Sequence, residues 1–365
     1  MALSMTGAFS RWPHAMRQSA VIFSQIRCAS TVFDLVPKFQ PSKSPQLDEA
    51  LEYYRQNLFI PFSLPRRQRQ TIFSTKHKQR LLDEPISVNI SETEEYILRP
   101  IPLEEVRTKA KIQEVLNLMI ASNDFQNLGP FLRGVHSAGM RIDSSKWQKL
   151  IRKIGGAGQL QSLLTSAQRQ REIGIDLQQI DVLESLFYQF HVAAAKAEYQ
   201  SEQATKSLNL AKQAVDLIEF YGIHNLEAAD KPSKLPASQP FVIATLLELS
   251  AARAIAEFGG QDQDGETLSY VRKLLANWNL ADLSPKPAED INRWIGRAVT
   301  ICNSLKLSLS IHDLTLDKAL HSSAKSHFTQ AKNVLAKQLK VNPDESKFNM
   351  QSKVDLETAK KLLQK

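Results

Sequence analysis

KAKIQEVLNLMIASNDFQNLGPFLRGVHSAGMRID, residues 109–143, is followed without a gap by SSKWQKLIRKIGGAGQLQSLLTSAQRQREIGIDLQ, residues 144–178. The second stretch repeats the first at an offset of 35, most visibly where Gly139-Met140-Arg141-Ile142-Asp143 recurs as Gly174-Ile175-Asp176-Leu177-Gln178. Ile112 aligns with Trp147, Val115 and Leu116 with Leu150 and Ile151, Phe125 with Leu160, Leu128 with Leu163, and Phe131 with Ser166. A repeat of this period signals stacked supersecondary units, none of which can bury its apolar face alone.

Each unit reads as a helical hairpin. Ile112, Val115, Leu116 and Met119 follow i, i+3, i+4, i+7 spacing and make one apolar stripe, and Trp147, Leu150, Ile151 and Ile154 make its counterpart. Asn123-Asp124 and Gly155-Gly156-Ala157-Gly158 separate the paired helices. Gly139 and Gly174 stand where a left-handed cap ends each second helix. Asp143 and the serines after it suit the N-cap of the next hairpin. Ile180–Ala197 and Leu208–Phe220 predict a third hairpin, ending in Tyr221-Gly222-Ile223 and longer than the others by 13 residues from glycine to glycine.

These units resemble the pentatricopeptide repeat, a helix-turn-helix unit of the same length found mainly in organelle RNA-binding proteins. The matching residues are Ile112, Val115, Leu116, Phe125, Gly139 and Met140, then Trp147, Leu150, Ile151, Gly158, Leu160, Gly174 and Ile175. The resemblance covers Lys109 to Gln178 and implies an all-α, right-handed helical-hairpin solenoid. It also implies base contacts from the fifth and last residue of each repeat, here Gln113 with Asp143 and Gln148 with Gln178. Of these, Asp143 matches the residue types usual in the family. The glutamines read first as solvated helix residues, which points to recognition of RNA shape and backbone in place of a one-base-per-repeat code.

The N-terminus carries a second signal. Residues 1–33 hold Arg11, Arg17 and Arg27, many serines and no acidic residue before Asp34. An Arg-rich, Ser-rich, acid-poor start is the pattern of a mitochondrial transit peptide, here 1–30, with processing expected near 28–31. The destination is then the mitochondrial matrix. Removing the three presequence arginines takes the formal charge from +8 to +5. A mildly basic mature chain suits a composite protein–RNA partner better than autonomous RNA binding.

Residues 31–105 form an extended arm punctuated by Pro37, Pro41, Pro45, Pro61, Pro65, Pro85, Pro100 and Pro102, with one short helix expected over Gln46–Asn57. Within the arm, Arg66, Arg67, Arg69, Lys76, Lys78 and Arg80 run without a carboxylate, with Phe59, Phe62 and Phe73 interleaved. Cations that neutralise phosphates beside rings that stack on bases suit RNA. The alternative is a solvated linker that folds back on acidic surface. Asp83, Glu84, Glu92, Glu94, Glu95, Glu104 and Glu105 lie next in sequence, against Arg99 alone.

Repeat hairpins are expected over 106–224, a Pro-containing loop over 225–240, further hairpins over 241–341 and a polar, Lys-rich tail over 342–365, read as a frayed helix or an unstructured end. The helices expected after the loop are Ser238–Phe258, Glu266–Trp278, Ala288–Leu309 and Leu314–Leu339, with a turn at Gly259–Gly265. No apolar run approaches the length of a membrane span. Of the two cysteines, Cys28 falls in the presequence and Cys302 in an apolar run, which excludes an intrachain disulfide or cysteine zinc site in the mature chain. The histidines are dispersed, Gly155-Gly156-Ala157-Gly158 lacks the strand that a dinucleotide fingerprint requires, and no phosphate-binding Gly-Lys-Ser/Thr loop occurs. Neither enzyme chemistry nor a cofactor is expected. The expected function is a matrix scaffold in organelle gene expression, partnered with mitochondrial RNA or the mitochondrial ribosome and with other matrix proteins. The alternative is a protein-only adaptor or assembly factor for a respiratory-chain complex.

Overall fold

The computed structural model describes residues 36–90, 94–104, 109–222, 235–279, 283–285, 289–341, 346 and 348–364. The expected transit peptide and most of the 225–240 loop lie outside these residues. Helix dominates what is described. The chain opens with α1 (Pro45–Tyr54), a π-helical turn (Arg55–Phe59), α2 (Ile60–Ser63), α3 (Arg66–Phe73) and α4 (Lys78–Asp83). Two short strands, β1 (Ser87–Asn89) and β2 (Glu95–Ile97), then pair antiparallel with Val88 opposite Tyr96.

The repeat region supplies α5 (Lys109–Ala121), α6 (Leu128–Ser137), α7 (Ser144–Gly156), α8 (Leu160–Ala167) and α9 (Gln170–Ile173). The expected stripes are the buried faces: Val115, Leu116 and Met119 on α5, and Trp147, Leu150, Ile151 and Ile154 on α7. Asp143 caps α7 by accepting a hydrogen bond from the Lys146 amide at 3.0 Å. Gly139 and Gly174 have φ of 74° and 72°, the left-handed caps expected of them. The second helix of the second unit is broken between Ala167 and Gln170, where a single helix was expected. The third hairpin is α10 (Ile180–Lys196) with α11 (Ser201–Gly222).

Then come α12 (Pro240–Phe258), α13 (Glu266–Ala276), α14 (Ile291–Ser308), α15 (His312–Leu316), α16 (Lys318–Val341) and α17 (Met350–Gln364). The apolar interior is organised as two clusters that meet along α12. Phe241, Val242, Leu246 and Leu249 join the cluster built on residues 36–218. Ile243, Ala244, Leu247, Ala251 and Ala254 join the one built on α13 to α17. A helix apolar on all sides is a buried one, and α12 is the wall common to both clusters. Among the described residues, no helix is long and apolar enough to cross a membrane.

Three expectations need correction. The first is the arm, which is not extended. Its helices carry Leu47, Leu51, Tyr54, Leu58, Phe59 and Ile60 into the first cluster, every one of them buried. The rings of Tyr54 and Phe59 meet Phe131 of α6 at 5.7 and 5.9 Å. Gly134 of α6 permits this approach, because a β-carbon there would stand 2.7 Å from Pro37 and 2.9 Å from Phe59. The buried Asn127 side chain exchanges two hydrogen bonds with the Gln40 backbone, and buried Asp124 accepts from the Lys43 amide. The prolines punctuate short helices that a tertiary surface holds in place.

The second correction is the β1–β2 hairpin, which adds strand to an expected all-α chain. The third concerns 342–365, where the helix at 350–364, α17, is neither frayed nor a free tail but docked on the core. Ser352, Asp355, Leu356, Ala359 and Leu362 recur at helical spacing and are buried. Two of those five are polar, so the stripe does not announce itself in a hydropathy reading.

Candidate nucleic-acid interface

The basic run is mounted on α3, a 3-10 turn (Thr75–His77) and α4. Ile72 anchors α3 and Leu81 anchors α4, both buried in the first cluster. Arg66, Arg67, Lys76, Lys78 and Arg80 are exposed, and Arg69 is half-buried. The Arg69 guanidinium lies 5.8 Å from the Phe62 ring centroid and donates to the Phe62 carbonyl at 3.4 Å. Phe62 in turn packs on Phe73 at 5.2 Å. The aromatics therefore anchor the segment. Phe59 is buried and presents no face to a base.

Among the described residues, the neighbouring acidic segment forms no ion pair with these cations. Glu94 is engaged by Arg55 at 2.6 Å, and that hydrogen bond, outweighing a small burial effect, holds its carboxyl below the usual range. Among the described residues, no ion pair reaches Arg66, Arg67, Arg69, Lys76, Lys78 or Arg80. Positive charge held on short helices without local neutralisation attracts a polyanion.

The four repeat positions are spoken for within the fold. Gln113 donates to Asn117 at 3.3 Å and Gln148 to the Ser144 hydroxyl at 3.3 Å. Gln178 donates to the Ile218 carbonyl at 2.9 Å, tying the end of the second unit to α11. Asp143, besides capping α7, accepts from Lys146 and Ser145, and these hydrogen bonds pull its pKa down to about 2. Successive units are also stitched together: Lys153 donates to Asn117 at 2.7 Å and Gln159 to Asn123 at 3.1 Å. The structure does not bring the basic run and the repeat positions into one cluster of contacts.

A crevice of about 400 Å³ lies beside Gln148, bordered by α7, α10, α14 and the start of α17. Two of its three arginines are matched: Arg293 pairs with Asp181 and Glu184, and Arg297 forks onto Glu289 at 2.7 and 2.9 Å, while Arg152 has no ion pair among the described residues. Asp181, Glu184, Glu289 and Asp290 line the same walls as the arginines, so the crevice has little net positive field to offer an anion.

One buried polar centre has no local signal in the sequence. His191 of α10 sits between two carboxylates, with Nδ1 2.6 Å from Glu248 of α12 and Nε2 2.9 Å from Asp355 of α17, all three fully buried. Tyr199 and Asn303 donate to Glu248 at 2.7 and 2.6 Å, and Tyr188 donates to Asp355. Burial opposes the imidazolium, yet Glu248 and Asp355 override it and raise the His191 pKa to about 10. With no exposure to solvent the group cannot meet a substrate, and it acts as a clamp on α17. Cys302 is likewise buried, which pushes its thiol up to about 12 and makes it the inert small hydrophobe expected. No group of three or more His, Cys, Asp or Glu among the described residues could hold a metal ion.

The chain matches the family profile described as Mitochondrial ribosomal protein mS27 over residues 23–361. It is also similar to a protein of Neurospora crassa named Small ribosomal subunit protein mS27, at 27% identity over 213 residues. That alignment takes in 57% of the chain, which spans about half (53%) of the length of this curated relative.

Proposed function

Because the chain belongs to the mitochondrial ribosomal protein mS27 family, we propose that it is a structural, non-enzymatic component of the small subunit of the mitochondrial ribosome, working in the matrix. Of the two functions read from the sequence, family membership favours the ribosome over the respiratory-complex adaptor. The finer reading is a scaffold of pentatricopeptide-like hairpins that grips ribosomal RNA by its backbone, with α3 and α4 as the contact. The observation that carries this contact is the set of six cations, Arg66, Arg67, Arg69, Lys76, Lys78 and Arg80, held on anchored helices with no ion pair among the described residues. Phosphate contacts position a protein without reading sequence. This matches repeat positions Gln113, Asp143, Gln148 and Gln178 that are already engaged within the fold and would add at most local contacts.

The test replaces Arg66, Arg67 and Arg69 with Gln in the full chain. Cosedimentation with the mitochondrial small subunit is expected to weaken and its salt dependence to become shallower by roughly 0.7–0.9 per lost contact. The melting temperature should not move, because Ile72 and Leu81 still anchor the segment. Unchanged cosedimentation at every salt concentration would remove α3 from the interface.

A further inference from the structure

We propose that α16 is a second RNA surface, one that contacts the phosphate backbone of a double-helical segment along most of its length; this rests on the reading that the chain works inside an RNA particle. From Lys318 to Val341 the helix carries Lys318, Lys325, Lys332, Lys337 and Lys340 and not one carboxylate. Lys318, Lys325, Lys337 and Lys340 are exposed and Lys332 is half-buried. None of the five takes part in an ion pair among the described residues. Asp317, just before the helix, is engaged in capping Leu320 and pairing with Arg272.

A helix that is merely solvated interleaves carboxylates with its lysines, because i, i+4 pairs of opposite sign stabilise it and uniform charge does not. Here α11 does so, with Glu202, Asp216 and Glu219 among Lys206 and Lys212. On α16 the residues between the lysines are exposed Ser322, Ser326, Thr329 and Asn333, short groups that hydrogen-bond without adding negative charge. Lys318, Ser322, Lys325 and Thr329 follow i, i+4, i+7, i+11 spacing and share one face. At 1.5 Å per residue, the stripe from Lys318 to Lys340 runs about 33 Å.

The surface fits RNA better than the alternatives. Protein interface cores are depleted in Lys and enriched in aromatics, whereas the large apolar residues of α16, Leu320, Phe328, Val334 and Leu339, are packed against the second cluster. That packing also leaves no apolar face to sink into a lipid surface. Lysine is a point charge suited to phosphate and not a bidentate reader of bases. The basic run of α3 and α4 is anchored in the first cluster and α16 in the second. The two surfaces therefore belong to the two halves of the core that meet along α12, and the protein would tie two stretches of RNA backbone together.

The experiment measures binding of the full chain to a fully paired RNA hairpin of about 20 base pairs, longer than the roughly 16 spanned by a double-stranded RNA-binding domain. Salt is varied between about 50 and 200 mM. Three variants are compared with the parent: Lys318, Lys325, Lys337 and Lys340 all replaced by Gln; the same four replaced by Arg; and Arg66, Arg67 and Arg69 replaced by Gln. The expected result is that the four-Gln variant flattens the plot of log affinity against log salt by about 3, from four contacts at ~0.7–0.9 each, and that the four-Arg variant keeps the parental slope. A parental slope in the four-Gln variant, with a flatter one in the Arg66/Arg67/Arg69 variant, overturns the α16 proposal and leaves the α3 contact standing. A parent chain with no salt-dependent binding overturns both. Parental RNA binding in the four-Gln variant with loss of ribosomal-protein crosslinks also overturns it and assigns α16 to a protein partner.

Discussion

Replacing Asp355 with alanine removes one jaw of the clamp that holds α17. In the native fold His191 lies 2.9 Å from Asp355 and 2.6 Å from Glu248, and none of the three is exposed. Solvent screening therefore does not discount the pair. Two unit charges about 3 Å apart interact by roughly 5–6 kcal/mol at an effective dielectric near 20. Relaxation of the site recovers part of this, and deleting one partner of a buried pair costs about 3–5 kcal/mol. The Tyr188 hydroxyl loses its acceptor as well. The remaining apolar anchors of α17, Leu356, Ala359 and Leu362, are few, so the damage is expected as local undocking of α17 before global unfolding. Amide hydrogen exchange followed by mass spectrometry reads it directly. Protection over residues 350–364 should fall by about 2.2 to 3.7 powers of ten, at 1.36 kcal/mol per factor of ten. Protection within threefold of the parent would mean that the clamp does not hold α17. Replacing His191, Glu248 and Asp355 together with Leu, Met and Leu should restore part of the loss, because an apolar set of similar volume removes the stranded charge while the Tyr188 and Tyr199 hydroxyls stay without their carboxylate acceptors. The pH dependence follows from the raised His191 pKa. The folded state keeps its proton to about 10, against the ordinary 6.5. This stabilisation is complete below pH 6.5 and declines as pH rises towards 10, by about 1.36 kcal/mol per pH unit. Exchange in α17 should therefore accelerate with alkali beyond its intrinsic rate in the parent, and not in the triple variant.

Two further substitutions probe the repeat region. Trp147→Ala should cost about 3–5 kcal/mol in denaturant unfolding, since Trp147 is 2% exposed and its indole donates to the Gly174 carbonyl at 3.3 Å; a parental midpoint would place it outside the core. Gly174→Ala forces a β-carbon into the left-handed region and to 2.4 Å from the His136 ring. About 1–3 kcal/mol of destabilisation is expected from the backbone conformation alone, and a thermal melt that does not move would show that α9 can end another way.

What could be read in advance was what is local and periodic. The stripes on α5 and α7, the Asp143 cap and the left-handed glycines at 139 and 174 each depend on residues within a few positions of one another. The six cations at 66–80 were legible for the same reason, being contiguous and free of carboxylate. Their support was not. Phe59, read as a ring for stacking on bases, is in the core, because Gly134 of α6 opens room for it. The lysine stripe of α16 stands in the sequence as 24 residues without an acid, but apolar residues interleave the lysines and give the stretch the pattern of an ordinary packing helix.

Helical content, caps, apolar stripes and charge segregation were all legible along the chain, because hydrogen bonds and side-chain stripes on a helix involve residues at most four positions apart. The folding of the N-terminal segment onto the repeats and the docking of a polar C-terminal helix depend instead on contacts between residues far apart along the chain. Those outcomes rest on pairs such as Asn127 with Gln40 and His191 with Asp355, 87 and 164 residues apart. A buried polar residue is stable only if its partner arrives, and nothing in the local pattern of either residue announces that it will.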